Sequence, residues 1–149
     1  MVDLNLPVYS FKLREDTKKT QIFDQTRKKY YILTPEEWVR QNIIEFLVHE
    51  KNCLRSHIAI EKSLRLNTMN KRADVLVYNK KMQPALLAEC KAPEVKITQK
   101  AFEQAGRYNM VFQVPFLLVT NGISHFCAHV DFKKKEINFL QDIPHYDTF

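Results

Sequence analysis

Between residues 8 and 33, apolar and polar positions alternate loosely, in VYSFKLRED and again in TQIFDQTRKKYYIL, with a charged turn from Glu15 to Lys19 between them. A period near two predicts strands, here a β-hairpin or short meander. The pattern then changes. TPEEWVRQNIIEFLVHE offers Thr34 as an N-cap, Pro35 in the first turn and Glu37 three residues after the cap, the arrangement of a capping box. Trp38, Ile43, Phe46 and Leu47 fall near one face, so a helix is expected that ends near Lys51 or Asn52.

Three extended segments come next. HIAIEKSLRL (57–66) alternates, and ADVLVYN (73–79) is rich in β-branched residues between polar NTMNKR and NKKMQP. ALLAECKA (85–92) is close enough to the preceding segment for a hairpin. After Pro93, TQKAFEQAGRYNMVF (98–112) reads as a second helix with Thr98 as its cap. FLLVTNG, after Pro115, is an unbroken apolar run of the kind found in interior strands, and HFCAHVDF and EINFLQDI form a closing antiparallel pair. The order is αβββαβ with β additions at both ends. Strand, helix, strand implies a right-handed parallel crossover, hence an α/β (α+β) fold with a mixed central sheet flanked by helices. One domain, 1–149, is expected: a β extension (1–33), a core (34–131) and a C-terminal strand and tail (132–149).

Composition narrows the function. Hydrophobic content of 45% and charged content of 27% are those of a globular chain. No apolar run approaches the roughly 20 residues of a membrane span, and the N-terminus lacks the layout of a secretory signal, so a cytoplasmic location without membrane attachment is expected. Cys53, Cys90 and Cys127 are odd in number and widely spaced, unlike a disulfide framework. The net charge of +6 favours a polyanionic partner. With only two glycines, Gly106 and Gly122, neither a P-loop nor a dinucleotide fingerprint can be present in these residues.

The segment LLAECKAP puts an acid and a base, Glu89 and Lys91, at the end of an apolar strand. Acid-x-Lys also occurs at Asp16/Lys18, Glu94/Lys96 and Asp131/Lys133, but only Glu89 and Lys91 emerge from an interior run. Alternation points them to one face, and a hairpin with 73–79 sets Asp74 opposite their neighbourhood. Two carboxylates about 4 Å apart repel by roughly 4 kcal/mol at an effective dielectric near 20, so such a pair calls for a cation. Mg²⁺ suits it, being a hard ion satisfied by one or two carboxylates, waters and phosphate oxygens. The backbone carbonyl of Cys90 adds an oxygen, and Lys91 is then set to orient or deprotonate water, or to balance charge on a phosphate.

Asp74 with Glu89-x-Lys91, on elements in this order, resembles the PD-(D/E)XK nuclease superfamily, although Ala73 stands where its name has proline. PEEWVRQ, RADVLVYN, LLAECKAP and VTNG look like segments of the N-terminal nuclease domain of type I restriction enzyme R subunits, over roughly residues 30–130. The resemblance implies a restriction-endonuclease-like core and DNA cleavage with Mg²⁺ or Mn²⁺, with Asp74, Glu89 and Lys91 catalytic and Asp74, Glu89 and the Cys90 carbonyl as metal ligands. It implies a supporting, substrate-orienting role for Gln104 and Tyr108 (a Gln-x-x-x-Tyr motif on the helix after the catalytic strands), and a further acid, for which Glu45 and Glu61 are the candidates. Implied partners are DNA and restriction-modification or helicase subunits, and a homodimer stays open because cutting both strands commonly uses two sites. Full R subunits couple such a domain to an ATP-driven translocase; lacking a P-loop, these residues imply that translocation is absent or supplied by a partner.

Each signal has a plainer reading. Asp74, Glu89 and Lys91 could be a cross-strand salt bridge on a solvated edge, worth roughly 0–1 kcal/mol. Tyr108 could simply pack on the sheet with Gln104 in solvent. His125, Cys127 and His129 alternate, but the outer two lie about 13 Å apart at Cα, too far for one zinc. His49, Cys53 and His57 cross a helix end, and Lys133–Lys135 read as a solvated turn with an option on phosphate. Beyond cleavage, the open alternatives are a non-catalytic nucleic-acid-binding or subunit-interaction module of the same fold, and a nuclease acting on RNA or DNA ends.

Overall fold

The computed structural model describes residues 1–149, the side chain of Met69 excepted. The N-terminal alternation resolves into a three-stranded antiparallel sheet of β1 (Leu13–Asp16), β2 (Lys19–Asp24) and β3 (Lys29–Ile32). Its first turn is tight, with Thr17 and Lys18 both at positive φ (41° and 69°), the conformation that matches strand twist in two-residue hairpins.

Helix α1 (Pro35–Glu50) starts where its cap predicts: Thr34 Oγ1 accepts from the Glu37 N–H at 3.0 Å. The reciprocal half of the capping box does not form, because the Glu37 carboxylate is taken by Arg27, Arg40 and Gln41. The apolar stripe is also shifted. Val39, Ile43, Ile44 and Leu47 enter the core, while Trp38 and Phe46 are only half-buried. Residues 1–12 explain this by wrapping the outer face, where Trp38 Nε1 donates to the Val2 carbonyl at 3.0 Å and Phe11 packs edge-on against the indole.

The main sheet has six strands in sequence order: β4 (Ile58–Leu66), β5 (Met69–Tyr78), β6 (Pro84–Cys90), β7 (Phe116–Thr120), β8 (His125–Asp131) and β9 (Glu136–Leu140). All neighbours are antiparallel except β6 and β7, which run parallel and are joined through helix α2 (Gln99–Phe112). Thr98 caps α2 by accepting from the Ala101 N–H at 3.1 Å. Apolar side chains alternate across the sheet. Val75, Val77, Leu86 and Ala88 join the α1 core, and Leu76, Leu87, Leu117 and Val119 join the α2 core.

Strand β5 begins four residues before the expected position 73. Residues 70–72 are polar and look like a boundary, yet 69–72 pair with β4 beyond the end of β6, around a turn that holds Asn67 at φ 55°. The extra length brings Lys71 and Arg72 onto the strand, which matters for the site. Among the described residues, no helix is long and apolar enough to cross a membrane. The three cysteines are buried and unpaired.

Candidate active site

The ladder between β5 and β6 stops at Val75↔Ala88, after which β5 follows β4 and β6 follows β7. A fork opens there, and Asp74 sits in it. The N–H of Cys90, without a strand partner on that side, donates instead to Asp74 Oδ2 at 2.8 Å. The ladder ends before Asp74 and Glu89 pair, but the charge of Glu89 reaches Asp74 across the fork. Burial is the main cause raising the Asp74 carboxyl above its ordinary range; the Cys90 N–H and Arg40 oppose it, and the charge of Glu89 adds to it.

Backbone distortion on the other flank accompanies this packing. Glu61 of β4 takes φ 54° and interrupts the ladder between Ile60↔Val75 and Lys62↔Ala73, opposite Asp74. A left-handed conformation in a non-glycine residue costs on the order of 1–3 kcal/mol and persists only where surroundings enforce it. Here the enforcing groups are arginines: Glu61 pairs with Arg72 at 3.0 Å, Arg27 at 3.7 Å and Arg40 at 3.8 Å.

Arg40 is the hub of the α1 side. Its Nη2 lies 3.2 Å from Glu36, 3.5 Å from Asp74 and 3.8 Å from Glu61, while Nη1 pairs with Glu37. Glu37 in turn pairs with Arg27, whose guanidinium bonds Asp24 at 2.6 Å and stacks 3.4 Å from the Tyr31 ring centroid. A continuous run of buried charges thus ties the three-stranded sheet to the fork.

Lys91 follows β6 directly, its N–H bonded to the Thr120 carbonyl at 2.8 Å, and its ammonium makes no ion pair among the described residues. The VTNG turn anchors the segment after it. Asn121 Nδ2 donates to the Val95 carbonyl at 2.9 Å, and Asn121 Oδ1 accepts from the Ile123 and Ser124 N–H groups. Gly122 holds φ 84°, a backbone that favours glycine, and an added Cβ would come 2.8 Å from Leu4 Cδ2, which would have to shift.

Of the helix and strand acids considered from sequence, Glu45 is not brought to the fork. It lies over two turns farther along α1, held by Arg55 at 2.7 and 3.0 Å and by His49 at 3.1 Å. Glu61 borders the fork. The α1 acid that faces it is Glu36, whose carboxyl is raised by burial and then by the charge of Asp74, and lowered by Arg40 and Lys91. Its spacing of four from Arg40 was the available signal. A second missed residue is Lys71, which ion-pairs with Glu89 Oε1 and lies 4.6 Å from the Tyr108 ring centroid. Tyr108 is therefore linked to Glu89 through Lys71. Gln104 is exposed and lines, with Arg107, Tyr108 and Val111, a groove of about 340 Å³.

Hard oxygen donors in a partly buried fork have the chemistry for a hard cation. Glu89 Oε1 is buried, and the cation seated on it is the Lys71 ammonium. Among the described residues no three His, Cys, Asp or Glu side chains form a ready cage, and Mg²⁺ needs only one or two carboxylates.

Residues 35–144 match the family described as type I restriction enzyme R protein N terminus (HSDR_N). The chain belongs to this family. Its fold is also that of a solved fragment assigned to the HsdR subunit of a type I restriction enzyme from Vibrio vulnificus YJ016, with a TM-score of 0.53 and 21% identity over 77% of this chain. The R-protein N-terminal domain described here spans 24% of that structure's chain. No curated protein matches it.

Proposed function

We propose that this R-protein N-terminal domain is a Mg²⁺-dependent nuclease that hydrolyses DNA phosphodiester bonds, with Mn²⁺ as an alternative ion. The reading is supported by Asp74 in the fork of β5 and β6, within reach of the charge of Glu89, and by Lys91 just after the same strand, without an ion pair among the described residues. Asp74 and Glu89 would hold the ion together with the Cys90 carbonyl, since a strand residue's N–H and C=O face the same side and the Cys90 N–H faces Asp74. When bound, the ion polarises the phosphate and acidifies its water. Lys91 orients the attacking water and balances charge on the phosphate oxygens. Glu36 adds negative charge at the α1 edge, and Gln104 and Tyr108 flank the substrate along the groove beside α2.

DNA as substrate draws on the net charge of +6 and on the family. Since the chain spans about a quarter of the matched R-subunit fragment, we assign translocation and the remaining restriction-modification functions to other domains or subunits. A second reading, a binding module of the same fold that does not cut, draws on Arg40 and Lys71, which already neutralise Asp74 and Glu89.

Supercoiled DNA incubated with the protein and Mg²⁺ or Mn²⁺ separates the two. Nuclease action predicts nicking that falls at least ~100-fold in Glu89→Ala and Lys91→Ala, the size of effect seen when a charge-stabilising group is removed. DNA binding with no cleavage by wild type or variants supports the binding module, and cleavage confined to a parallel RNA substrate overturns the DNA assignment.

A further inference from the structure

Lys91 is the lysine of the motif, yet the cation seated on Glu89 is Lys71. Its ammonium pairs with Oε1, and its charge also acts on Asp74. The pair is largely shielded, with side chains 20% and 13% exposed. Lys71 nevertheless sits on the part of β5 that pairs only with β4, past the fork, at the end of a flexible four-carbon stem. The ammonium also lies 4.6 Å from the Tyr108 ring centroid, so cation–π attraction still holds it once it leaves Glu89.

Resting on the nuclease reading, we propose that Lys71 is a built-in competitor for the divalent ion. With no ion present it neutralises Glu89, and an ion can bind only by displacing it toward Tyr108 and solvent. Buried acids are thereby never left uncompensated, which would otherwise destabilise the fork. The chain accordingly binds a divalent ion weakly on its own. The displaced ammonium becomes free to meet a DNA phosphate, so occupancy of the fork and grip on the substrate rise together. This role differs from that of Lys91, whose ammonium carries no such pair.

The test is calorimetric titration of Mn²⁺ into the protein without DNA, for wild type, Lys71→Met and Lys71→Gln, with Glu89→Gln as the control. Methionine keeps the stem packing near Tyr108, and glutamine keeps a neutral donor toward Glu89 should the methionine variant fail to fold. Removing the competitor is expected to tighten Mn²⁺ binding by about tenfold, equivalent to ~1.4 kcal/mol, and Glu89→Gln to lose the site. Binding by the Lys71 variants where wild type shows none supports the proposal equally. Equal or weaker binding by both Lys71 variants, with wild type binding Mn²⁺, overturns the competitor role and leaves the nuclease reading standing. Absence of binding in every variant overturns both.

Discussion

Replacing Glu37 by glutamine asks how firmly buried charge fixes the α1 side of the fork. The Glu37 side chain is 5% exposed and serves two guanidiniums, Arg27 and Arg40, themselves 13% and 8% exposed. An ion pair at about 4 Å is worth roughly 4 kcal/mol before desolvation, at an effective dielectric near 20. Desolvation offsets most of that while the network is complete. Removing one member exposes the imbalance, and buried pairs broken in this way lose about 3–5 kcal/mol. Glutamine retains the shape and one acceptor oxygen, Arg27 keeps Asp24, and Arg40 keeps Glu36 and Asp74. The lower end, about 3 kcal/mol, is therefore expected. For a chain of this size that lowers Tm by roughly 6–12 °C. Thermal and urea unfolding followed by circular dichroism would measure it, with the urea slope unchanged. A loss below about 1 kcal/mol, or one erased by 1 M NaCl, would show that Glu37 behaves as a surface pair and would refute the reasoning.

Three further outcomes follow from the same geometry. Because burial raises the folded-state Asp74 carboxyl above its unfolded value, its stabilising contribution is complete below about pH 4 and declines as pH rises through the folded value. Asp74→Asn keeps an acceptor for the Cys90 N–H and should melt higher than wild type at pH 7, the gap closing toward pH 4; a lower Tm at pH 7 would contradict this. Burial pushes the Cys53 and Cys127 thiols up to about 12 and the Cys90 thiol well above its usual range, so a disulfide reagent at pH 8 should modify the native protein slowly and all three thiols after unfolding. Rapid native labelling of one thiol would indicate an opening absent from this fold. Gly122→Ala should cost about 2 kcal/mol, from positive φ and the contact with Leu4, read as a lowered urea midpoint; a neutral result would mean the turn relaxes freely.

The αβββαβ core was legible because its signals are local: alternation in 57–66, the apolar run at 85–88, the caps at Thr34 and Thr98, and an apolar run after Pro115. The β5–β6 hairpin that carries Asp74 and Glu89 was legible for a related reason, since a short connection between two extended segments predicts their pairing. Residues 69–72 were missed because an overhanging strand paired on one edge has no apolar alternation to show. The burial of Glu37 and Arg40 was missed because Glu37 is also held by Arg27, from the β2–β3 turn and itself fixed by Asp24, and helical periodicity records only which residues are apolar. Glu45 and Glu36 both lie on α1. The choice between them depends on which end of the helix reaches the fork, a tertiary fact with no trace in spacing. Lys71 stayed hidden for the same reason as the overhang that carries it.

Joint binding of a divalent ion by Asp74 and Glu89 is open to anomalous diffraction from crystals grown or soaked with Mn²⁺. A peak is expected between the two carboxylates, within reach of the Cys90 carbonyl, with the Lys71 ammonium moved off Glu89. Density showing Lys71 and Arg40 still seated on the carboxylates at saturating Mn²⁺, with no peak in the fork, would contradict it.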